Sequence, residues 1–114
     1  MPTAWEPLVP IEDPAGFDRW LAAHAGTERD VVVSIFKATS GRQTVTLPDL
    51  QEVSLCHGWV DTQIRRVDDE RYAIRFVPRR KGSNWSATNR DLARRLLAEG
   101  RLTPAALETL PPDL

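Results

Sequence analysis

Two extended runs on either side of a short acidic stretch constrain the fold of this chain more than any other feature. The two runs lie between Trp59 and Val77, and the Asp-Asp-Glu stretch at 68–70 separates them. Successive side chains of a strand point to opposite faces of a sheet, and a short polar turn joins antiparallel neighbours. The sequence therefore predicts an antiparallel hairpin.

The alternation assigns one face of this hairpin to the core and the other to solvent. On the second strand, Tyr72, Ile74 and Phe76 share the predicted core face. On the first strand, a strict period of two places Asp61 and Arg65 together on the opposite, polar face. We therefore expect Asp61 to lie among arginines.

Helix and strand signals flank the hairpin on both sides. Polar cap residues and first-turn prolines mark helix starts, and a β-branched run marks a central strand. The predicted elements are a helix over 14–25, a strand over 31–37, a short helix after Thr46, a helix after Ser86 and a last helix from Pro104 to about Leu110. These elements predict an α+β fold: a small antiparallel β-sheet of about three strands, packed on one face by three to four short helices, with the first three helices covering that face.

The length of the chain sets the domain count. At 114 residues and 41% hydrophobic content, it can bury one compact core without disulfides or metals. We expect an extended Pro-rich lead-in over residues 1–12, pinned to the body at Trp5 or Leu8, then a single domain over 13–110 and a tail over 111–114.

Charge and cysteine content restrict the function classes. Lys and Arg number 15 against 16 Asp and Glu, so the net charge of −1 argues against coating nucleic acid through bulk charge. The single Cys56 excludes an internal disulfide, and no ligand spacing indicates a metal or a cofactor. The N-terminus has no signal-peptide pattern and no apolar run reaches membrane-spanning length, so we expect a cytoplasmic protein.

The strongest candidate site is a stretch dense in cations and aromatic residues. Residues 56–89 contain two Trp, the only Tyr and seven of the fifteen Lys and Arg residues. Arginine forks bind carboxylates and phosphates, and the N-terminus of the helix after Ser86 adds N–H donors. We predict a pocket for an anionic small molecule or an acidic protein segment, formed by Arg65, Arg75, Arg79, Arg80, Ser83, Trp85 and Asn89.

The same arginines have a simpler interpretation. Arg65, Arg66, Arg71 and Arg75 can pair with the carboxylates of the hairpin, namely Asp61, Asp68, Asp69 and Glu70, and merely solvate it. The run PRRKGSNW at 78–85 is predicted to be a basic loop, and its arginines at 79 and 80 are expected to be exposed. The sequence leaves the two interpretations open.

An enzyme acting on an anionic substrate is the alternative to a binding module, with Asp61 or His57 in an acid/base role. Neighbouring arginines would lower the pKa of Asp61, which argues against a base active near neutrality. Adjacent helical residues point about 100° apart, so a catalytic pair of Cys56 and His57 is not expected. Instead Cys56 is predicted to be a buried, apolar residue.

Two further functions remain as lower alternatives. In the first, the basic residues track phosphates while Trp85 stacks on a base, and binding weakens steeply with salt. The second is a protein interface, for which an apolar patch beside the hairpin or the lead-in would be the sign. Trp59 is expected in the core, and Trp85 either in the core or on a ligand.

Three blocks of the sequence resemble a known family. They are CHGWVDTQIRR at 56–66, RYAIRFVPRRKGSNWSATN at 71–89 and EGRLTPAAL at 99–107. The chain resembles the YdeI/OmpD-associated family, small bacterial proteins also described as bacteriocin-protection proteins. The resemblance implies a stress role in tolerance of cationic antimicrobial peptides, with an outer-membrane porin or a peptide as a partner. The family offers no agreed catalytic residues to carry over.

Overall fold

The computed structural model describes residue 5 and residues 7–114, and their elements follow the predicted order. Every predicted helix and strand is present, and its boundaries lie within a few residues of the prediction. The elements are β1 (Val9–Pro10), α1 (Pro14–His24), β2 (Val31–Phe36), α2 (Leu47–Cys56), β3 (Trp59–Arg66), β4 (Arg71–Pro78), α3 (Ala87–Ala98) and α4 (Pro104–Leu107), with a 3₁₀ turn at Ala38–Ser40.

The four strands form one mixed sheet in the order β1-β2-β4-β3. β2 and β3 both pair antiparallel with β4, while β1 pairs parallel with β2. The α+β class and the hairpin are confirmed, and the sheet has one strand more than expected. That strand comes from the lead-in, where Val9 pairs with Val33 and the Ile11 N–H donates to the Ser34 carbonyl at 3.1 Å. Pro10 fits there because an edge strand tolerates a missing N–H.

Local capping explains where the helices begin. The Asp13 carboxylate accepts the Gly16 N–H at 2.6 Å at the start of α1. Thr46 and Asp49 form a capping box before α2, each side chain accepting the other's backbone N–H. The last helix, α4, ends at Leu107 rather than near Leu110.

The main core lies between the sheet and the first two helices. Phe17 of α1 packs against Phe76 of β4 with ring centroids 4.9 Å apart, and Trp59 is only 2% exposed, as predicted. The third helix differs from its prediction. Its buried residues Ala93 and Leu96 pack with the end of α2, so α3 forms an outer layer on α2 rather than covering the sheet.

The opposite face of the sheet is partly covered by the lead-in. Trp5 is 9% exposed and packs with Val32 and Ala73, while Leu8 and Val67 border the same cluster. The predicted pinning of the lead-in at Trp5 and Leu8 is therefore confirmed. Residues 1–4 and 6 of the lead-in lie outside the described residues.

A β-bulge in β3 overturns the predicted placement of Asp61. The register shifts between Asp61 and Gln63, so Asp61 lies opposite Phe76 on the helix side and Arg65 lies opposite Ala73 on the outer side. One extra residue in a strand reverses the faces of everything after it. The expectation that Asp61 shares a face with Arg65 was wrong for this reason.

No helix in the described part of the chain is long and apolar enough to span a membrane.

Candidate functional site

Two arginines of the hairpin are neutralised by its own turn. Arg66 pairs with Asp69, and Arg71 pairs with Asp68 at 2.9 Å. Asp68 also accepts the backbone N–H groups of Glu70 and Arg71, at 2.9 and 2.8 Å. The hydrogen bond from the Arg71 side chain, followed by that from Glu70, lowers the pKa of the Asp68 carboxyl. For Arg66 and Arg71 the simpler interpretation of a solvated hairpin is the observed one.

The two hairpin arginines assigned to the predicted pocket lie around Trp5 instead of the loop. The Arg65 guanidinium is 4.9 Å from the centroid of the Trp5 ring, and that of Arg75 is 5.6 Å away. Arg75 also pairs with Asp30 at 3.3 Å. Both arginines therefore belong to the outer sheet face.

Arg79 occupies a different environment from every other arginine of the predicted pocket. Its backbone N–H donates to the Gly58 carbonyl at 2.8 Å, and its residue exposure is only 9%. The guanidinium lies 3.9 Å from the centroid of the Trp85 ring, and its Nη1 donates to Ser83 Oγ and to the Asn84 carbonyl, each at 3.2 Å. The expectation that Arg79 is exposed was wrong, because the chain folds back from β4 and places Trp85 against it.

The charge of Arg79 has no carboxylate partner among the described residues. Burial lowers the pKa of its guanidinium, and the charge of Asp61 acts in the opposite direction. An arginine nevertheless stays protonated at any ordinary pH. Nη1 uses its hydrogens on neutral acceptors, so the Nε–H and Nη2 groups are left without a partner in the described chain, and neither nitrogen is fully buried.

A cleft of about 800 Å³ opens beside Arg79. It lies between the end of α1, the corner from α2 to β3, the basic loop and α4. Its lining includes Ala22, Ala25, His57, Trp59, Pro78, Arg79, Lys81, Pro104, Ala105 and Glu108. The cleft therefore combines apolar walls with a few charged groups, which is the usual composition of a small-molecule site.

Gly58 fixes the corner between the sheet and α4. Its φ of 77° is in the left-handed region, and a Cβ there would meet the Ala106 Cα at 3.1 Å. The Thr103 N–H donates to the Cys56 carbonyl at 2.9 Å next to this contact. Only glycine permits this approach at low cost, so the α4 wall of the cleft depends on it.

The remaining predicted loop residues lie outside the lining of this cleft. Ser83 and Trp85 border an adjoining cavity of about 580 Å³, which shares Lys81 with the first cleft. Arg80 is exposed and lies outside the lining of both cavities. The backbone N–H of Asn89 donates to the Ser86 side chain at 3.1 Å as part of the α3 cap. The structure thus brings together Arg79, Ser83 and Trp85 from the predicted set.

His57 has a partner that sequence reasoning missed. Its Nε2 lies 2.8 Å from Asp18 Oδ1 on α1, and its side chain is 10% exposed at the edge of the cleft. Thirty-nine residues separate the two, so no local pattern signals the pair. Cys56 is buried as predicted, and burial raises the pKa of its thiol.

Asp61, the other alternative acid/base residue, faces α2 rather than the arginines of the outer sheet face. Both of its carboxylate oxygens lie 3.4 Å from Gln51 Nε2. Within the described residues, no group of three or more His, Cys, Asp or Glu side chains is arranged to hold a metal ion.

Comparison with known proteins gives a family without an assigned function. No curated protein and no solved structure matches this chain. One family model matches residues 9–109, which span every helix and strand of the fold. The chain belongs to the family described as Domain of unknown function (DUF8412).

Proposed function

We propose that this domain is a non-enzymatic binding module that holds an anionic ligand, or the acidic group of a partner, at Arg79 in the cleft beside the basic loop. One observation carries the proposal. The Arg79 guanidinium is buried and fixed by Trp85, Ser83 and the Asn84 carbonyl, yet it has no carboxylate partner in the described chain.

The unused edge of Arg79 has the geometry that a carboxylate or phosphate requires. Nε–H and one Nη2–H of a guanidinium point in the same direction and donate to two oxygens at once. Nη1 and one face of the guanidinium plane are already held by the protein, so little side-chain entropy remains to be lost on binding.

The free-energy cost of burying the Arg79 charge also favours binding of an anion. Burying a charge without an opposite charge is costly, and an arriving anion removes part of that cost. Lys81 adds a second cation to the lining of the cleft and makes no ion pair with any described residue. Perturbed, buried charged groups in a cleft are candidate functional groups for this reason.

The sheet-face part of the predicted pocket does not support this proposal. Arg65 and Arg75 contact Trp5, and Arg75 pairs with Asp30. The proposal therefore rests on the loop and the cleft.

The resemblance to the YdeI/OmpD-associated family supplies a biological setting for the proposal. A cytoplasmic bacterial protein with a stress role in antimicrobial-peptide tolerance would use such a site to sense or sequester an anion. A porin or a peptide as partner is part of the same proposal.

The test is a ¹H–¹⁵N NMR titration of the protein with acetate, phosphate and a short oligonucleotide, at low and high salt. We expect at least one anion to shift the Arg79 Nε–H and Trp85 indole signals in a saturable way. Arg79→Gln should weaken binding by at least about tenfold, the scale of hydrogen bonds to a charged group. The matched control is Arg66→Gln, which removes an exposed and already paired arginine and should change affinity less than about twofold.

Two results would refute the proposal. In one, none of the anions shifts the Arg79 and Trp85 signals. In the other, Arg79→Gln binds as tightly as the unchanged protein. A steep loss of oligonucleotide binding with salt, with phosphate and acetate silent, would instead favour nucleic-acid recognition.

An enzyme on an anionic substrate is the second candidate, and the His57–Asp18 pair is the observation that favours it. A carboxylate that fixes one imidazole nitrogen leaves the other available as a general base. If a bound anion is converted, His57→Gln should abolish its turnover while affinity at Arg79 stays within about threefold. Asp61, held by Gln51, has no comparable support.

A further inference from the structure

The apolar walls of the cleft indicate what kind of molecule carries the anionic group that binds Arg79. The cleft beside Arg79 is bounded by Ala22 and Ala25 at the end of α1 and by Pro104 and Ala105 at the start of α4. An inorganic anion on Arg79 would leave these walls in contact with water. A ligand with a carbon body would cover them, and burial of apolar surface stabilises the complex.

The charged groups of the same cleft limit the charge of the ligand. Arg79 and Lys81 supply two positive charges, and Glu108, directly after α4, supplies one negative charge. Glu108 makes no ion pair with any described residue, so its charge is not neutralised within that part of the chain. Apart from His57, the lining carries a net charge of about +1, and Glu108 disfavours a ligand with several negative charges.

From these two observations we propose that the ligand is a monocarboxylate with an apolar aliphatic or aromatic body. This inference rests on the proposed function and specifies its ligand class. The carboxylate accepts hydrogen bonds from Nε and Nη2 of Arg79, whose planar fork matches a carboxylate. The apolar body lies against the α1 and α4 walls.

The experiment compares carboxylates of increasing chain length by the same NMR titration. Acetate, butyrate and hexanoate differ only in methylene groups, and each methylene buried against the walls should raise the affinity about fourfold. Inorganic phosphate and the dicarboxylate glutarate carry more charge and should both bind more weakly than hexanoate. Equal affinities along the chain-length series, or tighter binding of phosphate or glutarate, would overturn the proposal.

Matched variants of α1 locate the apolar body. Ala22→Gln places a polar side chain on the cleft wall, so the gain from acetate to hexanoate should fall to less than half. Ala23→Gln is the control, because Ala23 is also exposed on α1 but lies outside the cleft lining. If both variants keep the full gain, the apolar body does not lie on this wall and the proposal is wrong.

A variant of Glu108 tests whether the cleft prefers a ligand with a single negative charge. Glu108→Gln should improve glutarate binding severalfold and change hexanoate binding less than about twofold, because glutarate brings a second negative charge into the cleft that hexanoate lacks. An equal effect on both ligands contradicts the monoanion preference. If no anion of any class binds, the proposed function itself fails, whereas binding of acetate and hexanoate with equal affinity at Arg79 overturns the ligand class alone.

Discussion

The hairpin and the loop that follows it are similarly rich in arginine, but they differ in what neutralises the charge. In the hairpin, Arg66 and Arg71 pair with carboxylates of the turn. In the loop at 79–85, Arg79 is buried against Trp85 and pairs with no carboxylate among the described residues. The density of cations along the sequence therefore does not distinguish a solvated surface from a site. The position of the nearest carboxylates distinguishes the two.

The sequence contains the cause of this difference. Asp68 and Asp69 stand three residues from Arg71 and Arg66, close enough for local pairing across the turn. Residues 78–85 contain no acidic residue at all. A loop arginine that folds inward there finds no carboxylate within its own loop, and the acceptors that Arg79 meets are Ser83 and the Asn84 carbonyl.

The largest predicted effect is a loss of stability on substitution of Gly58, whose carbonyl accepts the Arg79 N–H. Gly58→Ala forces a side chain into a left-handed residue and against the Ala106 Cα, 3.1 Å away. We expect a loss of about 2–4 kcal/mol of unfolding free energy, from backbone strain plus the clash with α4. In hydrogen exchange, the Arg79 amide should lose protection, because it donates to the Gly58 carbonyl, while the Val67 amide in the hairpin turn keeps its protection.

Gly41→Ala is the matched control for this substitution. Gly41 has a φ of 74°, but a Cβ there meets nothing within 4 Å. Only the backbone strain remains, so the loss should be about 1 kcal/mol. Equal losses for the two variants in urea unfolding would show that the contact with α4 is not what Gly58 provides.

Local signals predicted the elements of this fold well, and long-range contacts were the part that they missed. The caps at Asp13, Thr46 and Ser86 are short-range hydrogen bonds that the sequence displays directly. The parallel pairing of Val9 with β2 joins segments far apart in the chain, and no periodicity marks a strand of two residues. The placement of α3 on α2 likewise depends on tertiary packing.

The candidate site likewise combines local contacts, which the sequence indicates, with long-range contacts, which it does not. The loop cluster of Arg79, Ser83 and Trp85 is local, so its members could be named from the sequence. The burial of Arg79 and the pairing of His57 with Asp18 depend on how α1, the corner and α4 meet. The bulge before Gln63 is a local feature, but nothing in the alternation of β3 signals it.

A substitution of Trp85 tests whether its ring holds the Arg79 guanidinium in place. Trp85 is half-buried, packs against the cluster formed by α2 and α3, and stacks on Arg79. Trp85→Ala should cost about 2 kcal/mol of unfolding free energy, less than a fully buried aromatic residue, and should weaken anion binding at Arg79. Trp85→Phe keeps a ring and should recover more than half of both losses. A stability change below about 0.5 kcal/mol for Trp85→Ala in urea unfolding would show that the stacking is incidental.

A smaller effect appears on the hairpin side when the pH is lowered. The Arg71 side chain and the Glu70 N–H hold the pKa of Asp68 below its ordinary value. A carboxyl whose pKa is lower in the folded state stabilises the fold above the unfolded pKa of about 3.9, and this contribution is lost as the pH falls through the folded pKa. Arg71→Ala should raise the pKa of Asp68 toward the ordinary value, as measured by ¹³C NMR of its carboxyl carbon. A pKa of Asp68 that is already ordinary in the unchanged protein would contradict the pairing in the turn.

The smallest expected effect concerns the hairpin charges, which are solvated and contribute little. The side chains of Arg66 and Asp69 are 66% and 92% exposed, so water screens their interaction. Arg66→Ala should change the unfolding free energy by less than about 0.5 kcal/mol, and anion affinity at Arg79 by less than about twofold. Urea unfolding and the NMR titration measure the two quantities on one sample. A clear loss of affinity in this variant would mean that the hairpin field reaches the cleft, and the separation of the arginines into a solvated group and a binding group would no longer hold.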